Sequence, residues 1–189
     1  MYFPILRGRQ FELLALRECV KENVLSSQII PIVEPVKVSS TYIKTIDSFI
    51  EAEKPIAVIR NPQVGSWSKD LKKESNINIS AQFQKQFKAP CVISSFYVTP
   101  ELEKDIRSAI EKGNSIESML LLCNNPEYVD EYENVIGEKK PLYTLIPDRG
   151  DFRRRIRSNR VMCEDHFPKQ TRNIDYLDTE TEFFSSDHL

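Results

Sequence analysis

Glu34 poses the first chemical question in this chain. It follows the apolar run Ile29, Ile30, Pro31, Ile32, Val33 and precedes Pro35. A carboxylate in such a setting has to be paired or put to chemical use, because an isolated buried charge is costly. Arg7, Arg9 and Arg60 are its natural partners. Asp148 and Asp165 follow later apolar runs, and His166 is placed beside Asp165 as an acid or base. Glu34, Asp148, Asp165 and His166 therefore form the candidate catalytic set. The three carboxylates suit one Mg²⁺, which takes hard oxygen ligands and keeps several waters. Arg7, Arg9, Lys37, Arg60 and Arg149 form a candidate phosphate-binding set, since guanidinium groups hold phosphate through paired hydrogen bonds. Together these residues suit metal-assisted phosphoester hydrolysis or nucleotide binding. The plainer alternative is ordinary solvation of strand ends and internal salt bridges.

No nucleophile stands out. Ser94, Ser95 and Cys91 have no adjacent base, and the chain has no G-x-S-x-G, Walker A or G-x-G-x-x-G segment. The strongest local charge feature is the run Arg149, Arg153, Arg154, Arg155, Arg157, Arg160. On a helix over 150–158, Arg153, Arg157 and Arg160 would share a face flanked by Arg154. Such a face can contact nucleic-acid phosphates or an acidic partner. It can equally be a solvated face, or be paired with the acidic run Glu127, Asp130, Glu131, Glu133.

Composition narrows the classes. The chain has 189 residues, 40% of them hydrophobic and 29% charged, with a formal net charge of −2. That is enough apolar content for one sizeable core, with no global bias toward nucleic acid or membrane. The longest apolar runs are strand-sized, well short of the roughly 18 residues a membrane span needs. The opening residues lack the layout of a secretory leader. The four cysteines, Cys19, Cys91, Cys123 and Cys163, form no CxxC pair and read as buried free thiols of a reducing, cytoplasmic setting.

The elements that must position these residues recur at regular intervals. Blunt apolar runs lie at 2–6, 29–34, 56–60, 91–94, 118–123, 142–146 and 161–163. They do not alternate with polar residues, so both faces should be covered, as in a parallel sheet. Helical patterns fall at 10–20, at 39–52 behind Ser39 and Ser40, and from Thr99-Pro100-Glu101 to Gly113. Another starts at Asn125-Pro126-Glu127, and 82–87 forms a short one. The stretch 61–78 reads as an exposed loop. The expected fold is α/β, a (β/α) barrel-like domain over 1–165 with parallel strands and an irregular tail over 166–189. Seven strands without a clear eighth leave the barrel open, or make the chain a piece of a longer protein.

Two segments carry a resemblance. The opening Tyr2-Phe3-Pro4-Ile5-Leu6-Arg7-Gly8-Arg9-Gln10-Phe11-Glu12 and the strand Ile30-Pro31-Ile32-Val33-Glu34 are similar to the start of the phage beta-protein family and its bacterial relatives. Leu145-Ile146-Pro147-Asp148-Arg149-Gly150-Asp151 and Asp165-His166-Phe167 resemble a bacterial branch of that group. The resemblance implies a barrel-like fold and a role in an anti-phage or mobile-element system beside a nuclease-like partner. Members of that group run on past the end of this chain, so the resemblance leaves barrel closure open. Against it stand two other functions read from the residues, a phosphoester hydrolase or nucleotide-binding barrel and a non-catalytic scaffold docking DNA or an acidic partner.

Overall fold

A computed structural model describes residues 1–164. Its strands are β1 (Ile5–Arg7), β2 (Ile32–Glu34), β3 (Ile56–Ile59), β4 (Val92–Tyr97), β5 (Leu120–Leu122), β6 (Tyr143–Ile146) and β7 (Arg160–Met162). They form one sheet in chain order, and every neighbouring pair is parallel. The helices between them are α1 (Gln10–Lys21), α2 (Ser40–Glu51), α3 (Trp67–Asp70), α4 (Ile77–Gln86), α5 (Leu102–Glu111), α6 (Val129–Ile136) and α7 (Gly150–Arg155). The molecule is thus an open (β/α) barrel-like sheet. The expected tail over 166–189 lies outside the described residues.

Chain-order strands joined by crossovers of one hand place all their helices on one side of the sheet. The side chains divide accordingly. Leu6, Val33, Val58 and Val92 face outward into a cluster with α1, α2 and α4. Phe96, Leu121, Cys123 and Ile146 face outward against α5, α6 and α7. The inner cluster draws on the strands and the residues leading into them: Phe3, Ile32, Ala57, Ile59, Ile93, Leu120, Leu122 and Leu145. No helix among the described residues covers that face, and the sheet curls upon itself, which brings these residues together. The Phe3 ring beside β1 meets Tyr143 on β6, their centroids 4.9 Å apart. Five strand spacings in a flat sheet would separate them by about 24 Å.

The curl is also staggered. Following the pairing register from Arg7 leads through Glu34, Ile59, Ser95 and Leu120 to Tyr143. Yet Tyr143 packs beside Phe3, further toward the amino end of β1. A barrel requires such an offset between tilted strands.

Helix starts follow local chemistry. The Ser39 Oγ accepts from the Tyr42 N–H at 3.2 Å ahead of α2, and the Glu12 carboxylate accepts from the Arg9 N–H at 3.1 Å ahead of α1. Gly113 adopts φ +90° just beyond α5, the stop its position suggests.

Two expectations are corrected. The stretch 61–78 is not a plain exposed loop. It contains α3, a 3₁₀ turn at Glu74–Asn76 and the start of α4, which is longer than the short helix expected at 82–87. Trp67 draws it in, 2% exposed and packed between Tyr42 and Phe83 with ring centroids at 5.0 and 4.7 Å. Gly65 permits the approach: its φ is +76°, and a Cβ there would sit 2.1 Å from the Val36 carbonyl oxygen. The helix expected over 150–158 ends at Arg155, because Ile156 turns extended (φ −95°, ψ 102°) to bury its side chain.

The Phe3 contact across the barrel should carry real stability. Phe3→Ala is expected to destabilise the fold by about 3 kcal/mol, measured as a lower urea midpoint. An unchanged midpoint would contradict burial by curling.

Candidate functional site

The carboxyl ends of parallel strands gather at one rim, where barrel folds place their chemistry. Arg7 and Glu34 close β1 and β2 as register partners, and Tyr97 closes β4 on the same inner face. Glu34 is 4% exposed. Its Oε1 accepts from the Gln63 N–H at 2.8 Å, and its Oε2 accepts from the Tyr97 hydroxyl at 3.2 Å. The strand geometry explains the meeting: curling carries the end of β4 over to β2 although β3 lies between them.

The Tyr97 phenol is pushed well above its usual range. Burial is the main cause, the neighbouring Glu34 charge adds to it, and the Arg7 charge opposes it. The phenol therefore remains a neutral donor. Asn61 fixes this residue from the other side. Its Oδ1 accepts from the Tyr97 N–H at 2.9 Å, and its Nδ2 donates to the Tyr97 carbonyl at 3.0 Å and to Asp105 Oδ2 at 2.9 Å. The side chain of Asn61 thus continues the β3–β4 ladder past the end of β3. Burial raises the Asp105 carboxyl above its ordinary value, partly offset by the Asn61 hydrogen bond.

The expected ion-pair partners do not reach Glu34. Among the described residues it makes no salt bridge with Arg7, Arg9 or Arg60. For Arg60 the reason is strand parity. The pairing of Val33 with Val58 sets Ile59 beside Glu34, so Arg60 turns outward into the helix layer. There its guanidinium lies 3.7 Å over the Phe87 ring and donates to Ser94 Oγ at 3.3 Å. Burial lowers it to about 10. Arg9 sits at the start of α1, and Lys37 stands exposed beyond β2.

Two of the remaining candidates are engaged in local ion pairs. Asp148 is paired with Arg153 at 3.1 Å, and Arg149 with Asp151 at 2.7 Å. Asp165 and His166 lie outside the described residues. No group of three or more His, Cys, Asp or Glu that could hold a metal ion occurs among the described residues. The Mg²⁺ set therefore depends on Asp165.

The arginine run is split by the early end of α7. Arg155 bridges to Asp130 and Glu133 on α6, which is the local pairing the acidic run suggested. Arg154 Nε, Arg157 Nε and Arg160 Nη1 instead donate to the carbonyls of Gly150, Arg154 and Arg153 at 3.0, 2.9 and 2.7 Å. Arg153, Arg157 and Arg160 do not share a helical face, since Arg157 follows the helix and Arg160 opens β7. All four cysteines are free thiols, but only Cys123 is fully buried, its thiol pushed up to about 12 by that burial.

Sequence reading placed Glu34 and Arg7 at this rim and missed the weight of Tyr97, Asn61 and Gln63. The available signal was weak: a polar residue just after strand 3 and an aromatic one ending strand 4. The resulting group sets a buried carboxylate, held by a backbone amide and a phenol, beside the guanidinium-bearing Arg7 of the neighbouring strand. No family model, curated protein or solved structure matches this chain.

Two outcomes test this account. Tyr97→Phe is expected to lower stability by about 1–3 kcal/mol, because it leaves a buried carboxylate short of a donor; a chemical-denaturation curve superposing on wild type would refute it. Asp105 sets a pH dependence. Its folded value lies above its unfolded value, so the folded state binds the extra proton, and stability falls as pH rises through that window. Asp105→Asn should flatten this decline in thermal scans across the acidic range, and an unaltered slope would count against it.

Proposed function

We propose that this chain acts as one component of a protein complex, in an anti-phage or mobile-element system, with a partner that completes the open side of its sheet. The observation that carries this reading is the pair of unpaired edges at β1 and β7. Tyr2 N–H, Pro4 C=O and Gly8 N–H all bond toward β2, so by alternation Ile5 and Arg7 turn their N–H groups away from it. On β7, Cys163 N–H and Asn159 C=O bond toward β6, which turns Arg160 and Met162 outward. Among the described residues no strand pairs with either edge. Unpaired edges, here of three residues each, are a template for another strand, and native proteins cover or blunt them. Tyr2, Ile5 and Phe11 stand exposed beside the β1 edge.

Charge favours an acidic partner. Arg7 and Arg9 stand by one edge, and Arg154, Arg157 and Arg160 by the other. The last three are oriented by backbone carbonyls and form no salt bridge among the described residues. A nuclease-like protein with an acidic extended segment fits this surface. No helix among the described residues is long and apolar enough to cross a membrane.

A second reading rests on the rim. Arg7 beside Glu34 and Tyr97 would suit a nucleotide or phosphoester, with the phosphate on Arg7 and a hydroxyl or amino group on Glu34. Phosphoester hydrolysis would further require Asp148 to leave Arg153 and join Glu34.

Co-expression with the proteins encoded beside this chain is the direct test. A stoichiometric complex is expected on size-exclusion chromatography. Ile5→Pro and Met162→Pro should abolish it, since each removes an outward N–H while sparing the ladders to β2 and β6. Complex formation unaffected by either substitution, with circular dichroism confirming the fold, would exclude strand completion.

A further inference from the structure

A groove of about 340 Å³ lies between α2 and α4, on the outer side of the barrel and away from the rim. Its floor contains an unusual polar arrangement. Gln86 is 4% exposed, and its Nε2 donates to the Ile43 carbonyl at 2.9 Å and to Asp47 Oδ1 at 2.7 Å. Both partners are acceptors, so the amide can be oriented only with its nitrogen toward them. The Oε1 is left buried without any donor among the described residues. A buried carbonyl oxygen without a partner is costly in a native fold and calls for an explanation.

The walls point the same way. Asp47 Oδ2 has only a 3.5 Å contact with Gln82 Nε2, and neither Asp47 nor Glu51 forms a salt bridge among the described residues. Two carboxylates and one cation, Lys85, thus line the groove, and the unpartnered carbonyl oxygen is buried in the wall that Gln86 contributes. Ile50 and Ala89 supply an apolar strip along the same groove.

We propose that this groove binds a small organic cation, an alkyl chain ending in ammonium or guanidinium. The alkyl part lies along Ile50 and Ala89, and the charged head meets Asp47 and Glu51 over the negative potential of the Gln86 oxygen. Lys85 is the intramolecular competitor for the same carboxylates. This site is independent of strand completion at β1 and β7.

Isothermal titration calorimetry on the full chain at low ionic strength provides the test, with spermidine and N-acetyl-argininamide as the two probes. Binding of spermidine assigns the site to free polyamines, and binding of the blocked arginine alone assigns it to a side chain of a partner. In either case Asp47→Asn and Glu51→Gln should each weaken binding about fivefold, the range of an exposed ion pair. Lys85→Ala should tighten it, an effect that a merely structural role for these residues would not produce. Asp47 also accepts from Gln86, so Glu51→Gln and Lys85→Ala keep the test decisive if Asp47→Asn disturbs the fold. Absence of heat with both probes, or binding indifferent to Glu51 and Lys85, overturns the proposal.

Discussion

A parallel sheet whose strands follow chain order carries all its helices on one side, and its other face has only itself to bury against. Everything else in this molecule depends on that constraint. The inner residues Ile32, Ala57, Ile59, Leu120 and Leu122 are almost fully buried with no helix among the described residues over them. Curvature brings them together, and the Phe3–Tyr143 contact marks how far it goes. Burying such side chains contributes about 1.5–3 kcal/mol each, so the curl is the arrangement in which the apolar inner face is removed from water.

The same curvature composes the rim. It carries the Tyr97 hydroxyl past β3 to Glu34, and it brings Arg7 near enough for its charge to be felt at that phenol. Strand parity then sorts neighbouring polar residues between two environments. Glu34 and Tyr97 turn inward, while Arg60 turns outward onto Phe87. Two charged residues one step out of register across adjacent strands thus end on opposite faces of the sheet, although both follow strands of similar composition.

Neutral hydrogen bonds stabilise the buried charges of this region. Glu34 takes donors from a backbone amide and a phenol, and Arg60 rests on an aromatic ring and a serine hydroxyl. At the surface the balance is different. Arg149, Arg153 and Arg155 are paired with nearby carboxylates, Arg154 and Arg157 bond to carbonyls three or four residues back, and Arg160 bonds to the Arg153 carbonyl on α7. Among the described residues Arg154, Arg157 and Arg160 form no salt bridge, and they stand on the margin of a β7 edge that no described strand pairs with.

The repeat of blunt apolar runs was enough to define seven parallel strands and most of the helices between them, because period and composition are properties of local sequence. Arg7 and Glu34 at strand ends were legible for the same reason. Trp67 was not: its stretch is rich in Lys, Ser, Asn and Gly, and only the pocket made by Tyr42, Phe83 and Val36 turns it into a packed element. The end of α7 at Arg155 was hidden as well, since burial of Ile156 decides it. The sequence by itself determined which segments are strands and which residues stand at their carboxyl ends. Tertiary structure decided which of those residues meet, because pairing register and curl, not spacing along the chain, set the side to which each side chain points.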